Sequence, residues 1–181
     1  MEQGTVLVAT PSNSDFPRTV VIVLYSSEEK IIGASLTRKW LPQPRFLPDS
    51  MAIDGRSEVY WGGPVSSPVF ALHAVTKIGG QQILPDLFLT DRRKALSKLV
   101  TTCRHPYRLF VGRIEWDCES LDLELQRGDW TIATPTVEQF FADDLWTRLA
   151  TNDENPTMRI SRPRQIYVGE QTREYTPLND R

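Results

Sequence analysis

The most informative segment of the chain is Val59-Tyr60-Trp61-Gly62-Gly63-Pro64-Val65, which Phe70-Ala71-Leu72-His73 follows closely. An apolar run enters a Gly-Gly-Pro turn, and a second apolar run leaves it. The two glycines permit positive φ or a very close backbone approach, while the proline fixes the next φ and removes a hydrogen-bond donor. This turn, Trp61–Val65, is called the Gly-Gly-Pro corner below. It predicts either a tight structural corner or a concavity for a ligand.

Length and composition describe an ordinary soluble domain. The chain has 181 residues, of which 40% are hydrophobic and 24% are charged, and this length is typical of one domain. Its formal charge of −2 argues against a protein devoted to nucleic acid, which would be basic. No window approaches the roughly 20 apolar residues of a membrane span, and no secretory signal is visible. We therefore expect a cytoplasmic protein without a membrane partner.

Apolar, β-branched runs bounded by turn formers predict eight or nine strands. The run at residues 19–25 is continuous rather than alternating, which indicates a strand covered on both faces. Residues 39–54 contain three prolines, so we expect them to wrap over the surface with Trp40, Phe46 and Leu47 turned inward. The other strand-like runs lie at residues 5–10, 31–37, 58–61, 68–76, 83–89, 107–114 and 130–134.

Capping residues predict three helices. Thr90 is expected to cap the first helix, and Asp117 the second, which ends at Gly128. Thr136 opens the third, with Gln139 in the capping-box position. The first helix has an apolar stripe formed by Ala95, Leu96, Leu99, Val100 and Cys103. The inward face of the third is predicted to contain Val137, Phe140, Phe141, Leu145, Trp146 and Leu149.

The character of the chain changes after Asn152. Three prolines punctuate a polar segment in which only residues 166–168 have the apolar pattern of a strand. We therefore predict a single globular domain over residues 1–152 and a partly disordered tail over residues 153–181, with one docking strand at most.

Several of these segments carry motifs of a known family. The matching motifs are Ala9-Thr10-Pro11, Asp15-Phe16-Pro17-Arg18-Thr19-Val20-Val21, Tyr60-Trp61-Gly62-Gly63-Pro64-Val65, Leu72-His73, Leu89-Thr90, and the series Gly112, Trp116 and Trp130. Over about residues 4–150, with the motifs in the same order, the chain resembles the YqgE/AlgH family of bacterial proteins. It looks like a divergent member of that family.

The chain departs from the family pattern at several motif positions. A Gly-Ala-Met-Gly turn and an Asn-Arg-Pro strand end in the family are replaced by Lys30-Ile31-Ile32-Gly33 and Thr37-Arg38-Lys39. The family's Gly-Tyr-Ala-Gly-Trp motif corresponds in this chain to Gly112-Arg113-Ile114-Glu115-Trp116. The family's Gly-Gln-Leu motif corresponds to Glu119-Ser120-Leu121. No family role is therefore carried over to Thr37, Lys39, Glu115 or Glu119.

The resemblance implies a fold of the α+β (mixed α/β) class. It consists of a split mixed β-sheet with a small barrel-like portion, flanked by about three helices, and the strands and helices counted above are compatible with it. The resemblance implies little about activity, because the family is described mostly as uncharacterised, with one branch named as a regulator of alginate synthesis.

Polar residues near the corner carry the candidate chemistry. His73 ends an apolar strand, where a satisfied core histidine is more frequent than a ligand contact or a general base. Asp15 and Arg18 could bind an anion or substrate, although an ion pair that pins the Pro-flanked loop is the more frequent outcome. Both alternatives remain open for each group.

The sequence contains no recognisable catalytic or metal-binding motif. Cys103 precedes Arg104 and His105, but it falls on the apolar stripe of its helix, which points the thiol into the core. With Cys118 as the only other cysteine, neither a disulfide framework nor a structural zinc site is expected. Phosphate-binding loops and nucleophile elbows are absent as well. We therefore expect no cofactor and no bound metal.

Basic residues cluster on the first predicted helix and its flank, and again in the tail. A solvated helix face is the common explanation, but the cluster is the best nucleic-acid footprint that this chain offers. The basic residues are Arg92, Arg93, Lys94, Lys98, Arg104 and Arg108, with Arg159, Arg162 and Arg164 in the tail.

Three hypotheses of function follow. The first is a non-enzymatic binding or regulatory protein that holds an unknown protein or small molecule in a concavity formed by Asp15, Arg18, Trp61, Gly62, Gly63, Pro64 and His73. The alternative is a transcription-linked DNA binder that uses Arg92, Arg93, Lys94 and Lys98. A small hydrolase with an unrecognised site ranks last.

Overall fold

A computed structural model of the chain describes residues 1–40, 58–102 and 106–151, which contain ten strands and four helices. The strands are β1 (Val6–Ala9), β2 (Val20–Ser26), β3 (Lys30–Ser35), β4 (Val59–Trp61), β5 (Phe70–His73), β6 (Gln81–Leu84), β7 (Leu87–Thr90), β8 (Tyr107–Val111), β9 (Ile114–Asp117) and β10 (Trp130–Ala133). The helices are α1 (Arg93–Thr102), α2 (Cys118–Gln126), α3 (Val137–Phe140) and α4 (Leu145–Thr151).

The strands form two five-stranded sheets. The first has the order β10-β1-β2-β3-β9 and is antiparallel throughout, and the second has the order β4-β8-β5-β7-β6. Only β4 and β8 run parallel in the second sheet. The mixed α+β class and the split sheet are thus confirmed. Within the described residues neither sheet closes into a barrel, and four short helices replace the expected three.

The core is layered because the central strands are apolar on both faces. Along β1 and β2, alternate side chains enter two different clusters, as the period of two in a strand requires. One cluster lies between the sheets and includes Val8, Ile22 and Phe110, while the other packs beneath α2 and includes Leu7 and Val21. The prediction that the second strand is covered on both faces is confirmed.

Helix α1 covers the outer face of the second sheet. Leu96 and Leu99 lie in a third cluster with Val59 and Leu109, and the partly buried Trp40 packs against it. The predicted apolar stripe is therefore confirmed for Leu96, Leu99 and Val100, and so is the inward position of Trp40. Predictions for Phe46, Leu47, the Cys103–His105 segment and the tail 153–181 concern residues outside the described ranges.

Two of the three predicted helix starts are confirmed. Asp117 caps α2 by accepting a hydrogen bond from the Ser120 amide at 2.7 Å. Thr136 and Gln139 form the predicted capping box at α3. Thr90, however, is a buried residue of β7, and α1 begins three residues later at Arg93. The prediction for Thr90 was wrong because this residue is the last one of the strand, and the helix begins only after two further residues.

Two predicted strands are each divided by a turn. Residues 83–89 fall in a hairpin of β6 and β7, which turns at Pro85 and Asp86, the latter with a φ of 61°. Residues 107–114 supply β8 to the second sheet and the start of β9 to the first, with the change of direction at Gly112, whose φ is 76°. The chain thus crosses between the sheets at Gly112.

The third predicted helix is broken into α3 and α4. The carbonyl groups of Phe140 and Ala142 accept hydrogen bonds from the guanidinium of Arg108 at 2.7 and 2.9 Å. Phe141 leaves the helical region with φ −101° and ψ 6°. Because a distant side chain binds the backbone at the break, the local sequence pattern could not reveal it.

Candidate functional site

The Gly-Gly-Pro corner joins the two sheets through its backbone. The Gly62 amide donates to the Val111 carbonyl at 2.8 Å, and the Gly62 carbonyl accepts from the Ser35 amide at 2.9 Å. Val111 belongs to β8 of the second sheet, and Ser35 belongs to β3 of the first. Gly62 therefore links the sheets directly.

Backbone atoms fill the space that a ligand would need at the corner. A Cβ atom on Gly62 would lie 2.1 Å from the Gly112 carbonyl oxygen, and one on Gly63 would lie 2.1 Å from the Arg113 carbonyl carbon. Val65 then forms a two-way backbone bridge with Arg113. The glycines are needed for this close approach between chain segments, so the corner supports the structural alternative.

His73 is fully buried in β5. Its Nδ1 accepts a hydrogen bond from the Val75 amide at 3.1 Å, and its ring stacks on Phe88 with 5.8 Å between centroids. Within the described ranges Nε2 has no hydrogen-bond partner. Burial lowers the pKa of His73, and the backbone of Gly79 only partly opposes this effect. The imidazole is therefore held neutral and away from solvent.

Burial of neutral His73 predicts acid sensitivity. The unfolded chain binds a proton near the ordinary pKa of 6.5, whereas the folded protein binds it only at lower pH. The free energy of unfolding should therefore be fully retained above pH 6.5 and fall below it, by at most about 1.4 kcal/mol per pH unit, until the pH passes the folded pKa. Urea unfolding at a series of pH values measures this slope. This slope should be lost in His73→Gln, and an unchanged slope in that variant would contradict the assignment.

Asp15 and Arg18 do not form the ion pair considered above. Both side chains are exposed, and the ion pairs of the described residues include none between them. The loop is held instead by Asn13, whose Oδ1 accepts from the Phe16 amide and whose Nδ2 donates to the Asp129 carbonyl. Asp15 and Arg18 are thus available for other contacts.

Two exposed arginines each lie over a tryptophan. The Arg18 guanidinium is 5.1 Å from the ring centroid of Trp146, and the Arg38 guanidinium is 4.5 Å from that of Trp61. Trp146 also donates its indole N–H to the Ala9 carbonyl at 2.8 Å, which fixes the ring. Arg18, Arg38, Trp61 and Trp146 are called the arginine–tryptophan face below.

Backbone contacts bring the two halves of this face together. The Thr37 hydroxyl donates to the Arg18 carbonyl at 3.3 Å, and the Trp61 amide donates to the Arg38 carbonyl at 2.7 Å. These two contacts link the backbone of Arg18 to that of the corner residue Trp61 through Thr37 and Arg38. Among the contacts of the described residues, none joins His73 or Asp15 to them. Trp146 was predicted as a core residue, and nothing in the sequence pairs it with Arg18.

Arg108 lies inside the protein rather than on a basic surface. Its side chain is 5% exposed, and its guanidinium donates to the carbonyls of Leu36, Phe140 and Ala142 while covering the ring of Tyr60 at 4.5 Å. Burial lowers the pKa of Arg108. Its assignment to the nucleic-acid footprint was wrong, because its guanidinium group is buried and bound to three backbone carbonyls.

Comparison with known proteins agrees with the motif resemblance. The family model described as AlgH-like matches residues 6–155. The chain belongs to the AlgH-like family. It is 32% identical over 170 residues to a UPF0301 protein of Myxococcus xanthus, covering 85% of this chain and 92% of that relative. It is 29% identical over 163 residues to a UPF0301 protein of Chlorobaculum tepidum, covering 82% and 84%.

Solved structures show the same fold for this AlgH-like chain. The AlgH protein of Pseudomonas aeruginosa superposes with a TM-score of 0.62 at 20% identity, covering 77% of this chain and 80% of that one. A Corynebacterium diphtheriae protein superposes with a TM-score of 0.65 at 23% identity, covering 82% and 87%. At these identities the likeness concerns the fold alone.

The basic face of α1 remains on the surface of this AlgH-like protein. Arg92, which directly precedes α1, and Arg93, Lys94 and Lys98 within it are all exposed, whereas Leu96 and Leu99 are buried. In the parts of the chain that the structure describes, no group of acidic, histidine and cysteine side chains could hold a metal ion, and no helix is long and apolar enough to cross a membrane.

Proposed function

We propose that this AlgH-like protein is a non-enzymatic regulatory binding protein that holds an acidic segment of a partner protein on the arginine–tryptophan face. One observation carries the proposal. Arg18 and Arg38 are both exposed and both ordered by an indole ring, and neither has an ion-pair partner among the described residues.

The chemistry of the face favours a carboxylate-bearing protein partner. A guanidinium offers a planar fork of donors that matches a carboxylate with two parallel hydrogen bonds. Tryptophan and arginine are also the residue types most enriched among the energetically dominant residues of protein interfaces. Because the indoles already order the two side chains, binding would cost less conformational entropy. Its guanidinium groups are exposed and its indole rings are only partly buried, so a segment of a partner chain can approach them from solvent.

The backbone at Arg18 supports a role outside folding. Its φ of 53° lies in the left-handed region, which costs a non-glycine residue about 1 kcal/mol. Apart from Asp86 in the hairpin turn, it is the one non-glycine residue of the described chain with positive φ. The contact of the Arg18 guanidinium with the Trp146 ring, at an exposed site, stabilises the fold by only about 0.5–1 kcal/mol. The contact with Trp146 therefore does not exceed the cost of the strained backbone at residue 18.

A second candidate function is DNA binding through α1. Arg92, Arg93 and Lys94 are exposed on one end of the helix, and no acidic residue stands in its first turn. A cluster of this kind attracts phosphates in a salt-dependent manner. This candidate predicts retardation of duplex DNA that weakens steeply with salt and is lost in the double variant Arg92→Gln/Arg93→Gln.

Binding to the face should be visible in the spectra of its tryptophans. A hexaglutamate peptide added to ¹⁵N-labelled protein should shift the indole N–H signals of Trp61 and Trp146, because carboxylates would bind the guanidinium groups that cover these rings. The buried Trp116 and Trp130 should be unaffected. Hexaglutamine is the matched uncharged peptide and should shift none of the four. Shifts confined to the amides of α1, or no shifts at all, would contradict the proposal.

A further inference from the structure

An open cleft of about 280 Å³ lies near the Gly-Gly-Pro corner and is lined by strands of both sheets. Leu24 and Ile32 line it from the first sheet, and Phe70 and Leu89 line it from the second. Tyr25, whose side chain is unusually exposed for a large apolar residue at 51%, stands at its rim. None of the residues predicted from the sequence to form a ligand site lines this cleft.

Two charged residues of opposite sign line the apolar floor. Asp91 is exposed and has no hydrogen bond or ion pair with any described residue. Arg113 directs Nε and Nη2 to Oε1 of Glu115, both at 2.6 Å, and these bonds leave Nη1 unused. The cleft thus offers one free acceptor group and one free donor group around an apolar surface.

The donor group is held in place by a second ion pair. Glu115 also binds Lys30 through Oε2, and these two cationic partners, Lys30 first, lower the pKa of the Glu115 carboxyl. Glu115 therefore stays charged and holds Nε and Nη2 of Arg113. Because the guanidinium group is planar and rigid, this also fixes the direction of Nη1. Arg113 and Glu115 stand where the family motif given above has tyrosine and glycine.

We propose that the cleft binds a small zwitterion with an apolar side chain, that is, an apolar α-amino acid. Its carboxylate would accept hydrogen bonds from Nη1 of Arg113, its ammonium group would pair with Asp91, and its side chain would cover Phe70, Leu89 and Ile32. The volume lies just below the range of about 300–1,000 Å³ that drug-sized ligands occupy, and therefore suits a molecule of amino-acid size. This site is separate from the arginine–tryptophan face and does not depend on the function proposed for it.

Titration of ¹⁵N-labelled protein with L-phenylalanine tests the cleft. Saturable shifts are expected at the amides of Tyr25, Gln81 and Leu89, with a Kd of about 1 mM or tighter. Two analogues test the contribution of each charged group: 3-phenylpropanoate lacks the ammonium group, and 2-phenylethylamine lacks the carboxylate. Each should bind at least about tenfold more weakly, the loss expected for one missing charged hydrogen bond.

Variants assign the two charges to their residues. Arg113→Gln and Asp91→Asn should each weaken binding of L-phenylalanine at least about tenfold. Asp122→Asn, which neutralises an exposed carboxylate on α2, should bind as the wild type does. If loss of the Glu115 pair unfolds Arg113→Gln, Asp91→Asn decides the matter, because Asp91 makes no described polar contact. Absence of saturable shifts at millimolar L-phenylalanine, equal binding of either analogue, or full binding by Asp91→Asn would overturn the proposal.

Discussion

Gly62→Ala and Gly63→Ala should each lower the free energy of unfolding by about 3 kcal/mol. The added methyl group would lie 2.1 Å from a backbone atom of residue 112 or 113. Because that neighbour is backbone rather than a flexible side chain, the two chain segments must separate. The separation would break the hydrogen bond from the Gly62 amide to the Val111 carbonyl and loosen the junction of the sheets. Urea unfolding measures the loss.

Gly79→Ala is the matched control for these variants. A Cβ atom there would meet nothing within 4 Å, although Gly79 has a φ of 69°. The control therefore isolates backbone strain, which should cost only about 1 kcal/mol. If Gly62→Ala and Gly63→Ala were no less stable than Gly79→Ala, the corner would not be the close junction described above.

Arg108→Met should destabilise the protein by about 3–5 kcal/mol, which is typical when one partner of a buried charged network is removed. The substitution keeps much of the side-chain volume but leaves the carbonyls of Leu36, Phe140 and Ala142 without their donor. The segment between α3 and α4 would lose its attachment to the second sheet. Urea unfolding again provides the measurement.

Arg92→Met provides the comparison for Arg108→Met. Arg92 carries the same charge on an exposed position, so its replacement should leave the unfolding midpoint nearly unchanged. A loss below about 1 kcal/mol in Arg108→Met would mean that solvent satisfies the three carbonyls. Arg108 would then not be the residue that fixes the break between the helices.

Local signals predicted most of the elements of this fold. The caps at Asp117 and Thr136 were predictable because each depends on a side chain bonding to the backbone three residues ahead. The second strand was predictable because its apolar residues are contiguous. These signals act over a few residues, which is the range over which a sequence pattern can be interpreted without knowledge of the fold.

Contacts between distant segments were not predictable in the same way. Arg108 binds carbonyls 72, 32 and 34 positions away, and the pattern around residue 108 resembles any basic helix flank. The break between α3 and α4 follows from that contact and was missed with it. For the same reason the cleft could not be predicted, because it arises where two sheets meet.

The candidate site was partly predictable. Arg18 and Trp61 were identified from their motifs, but their partners Trp146 and Arg38 are set by the fold. Arg38 lies three residues past the end of β3, and its carbonyl accepts a hydrogen bond from the Trp61 amide, which brings the two residues together. His73, chosen for its chemistry, is a buried strand residue instead.

The role of the arginine–tryptophan face can be tested by comparing the hexaglutamate affinity of two double variants. Arg18→Gly/Arg38→Gln and Arg92→Gln/Arg93→Gln each remove two positive charges from exposed positions, and glycine relieves the strain at residue 18. We expect the first variant to remain folded and to lose at least about tenfold in affinity, while the second binds the peptide as the wild type does. Unchanged binding by the first variant, or an equal loss in the second, would show that the arginine–tryptophan face does not hold the acidic segment.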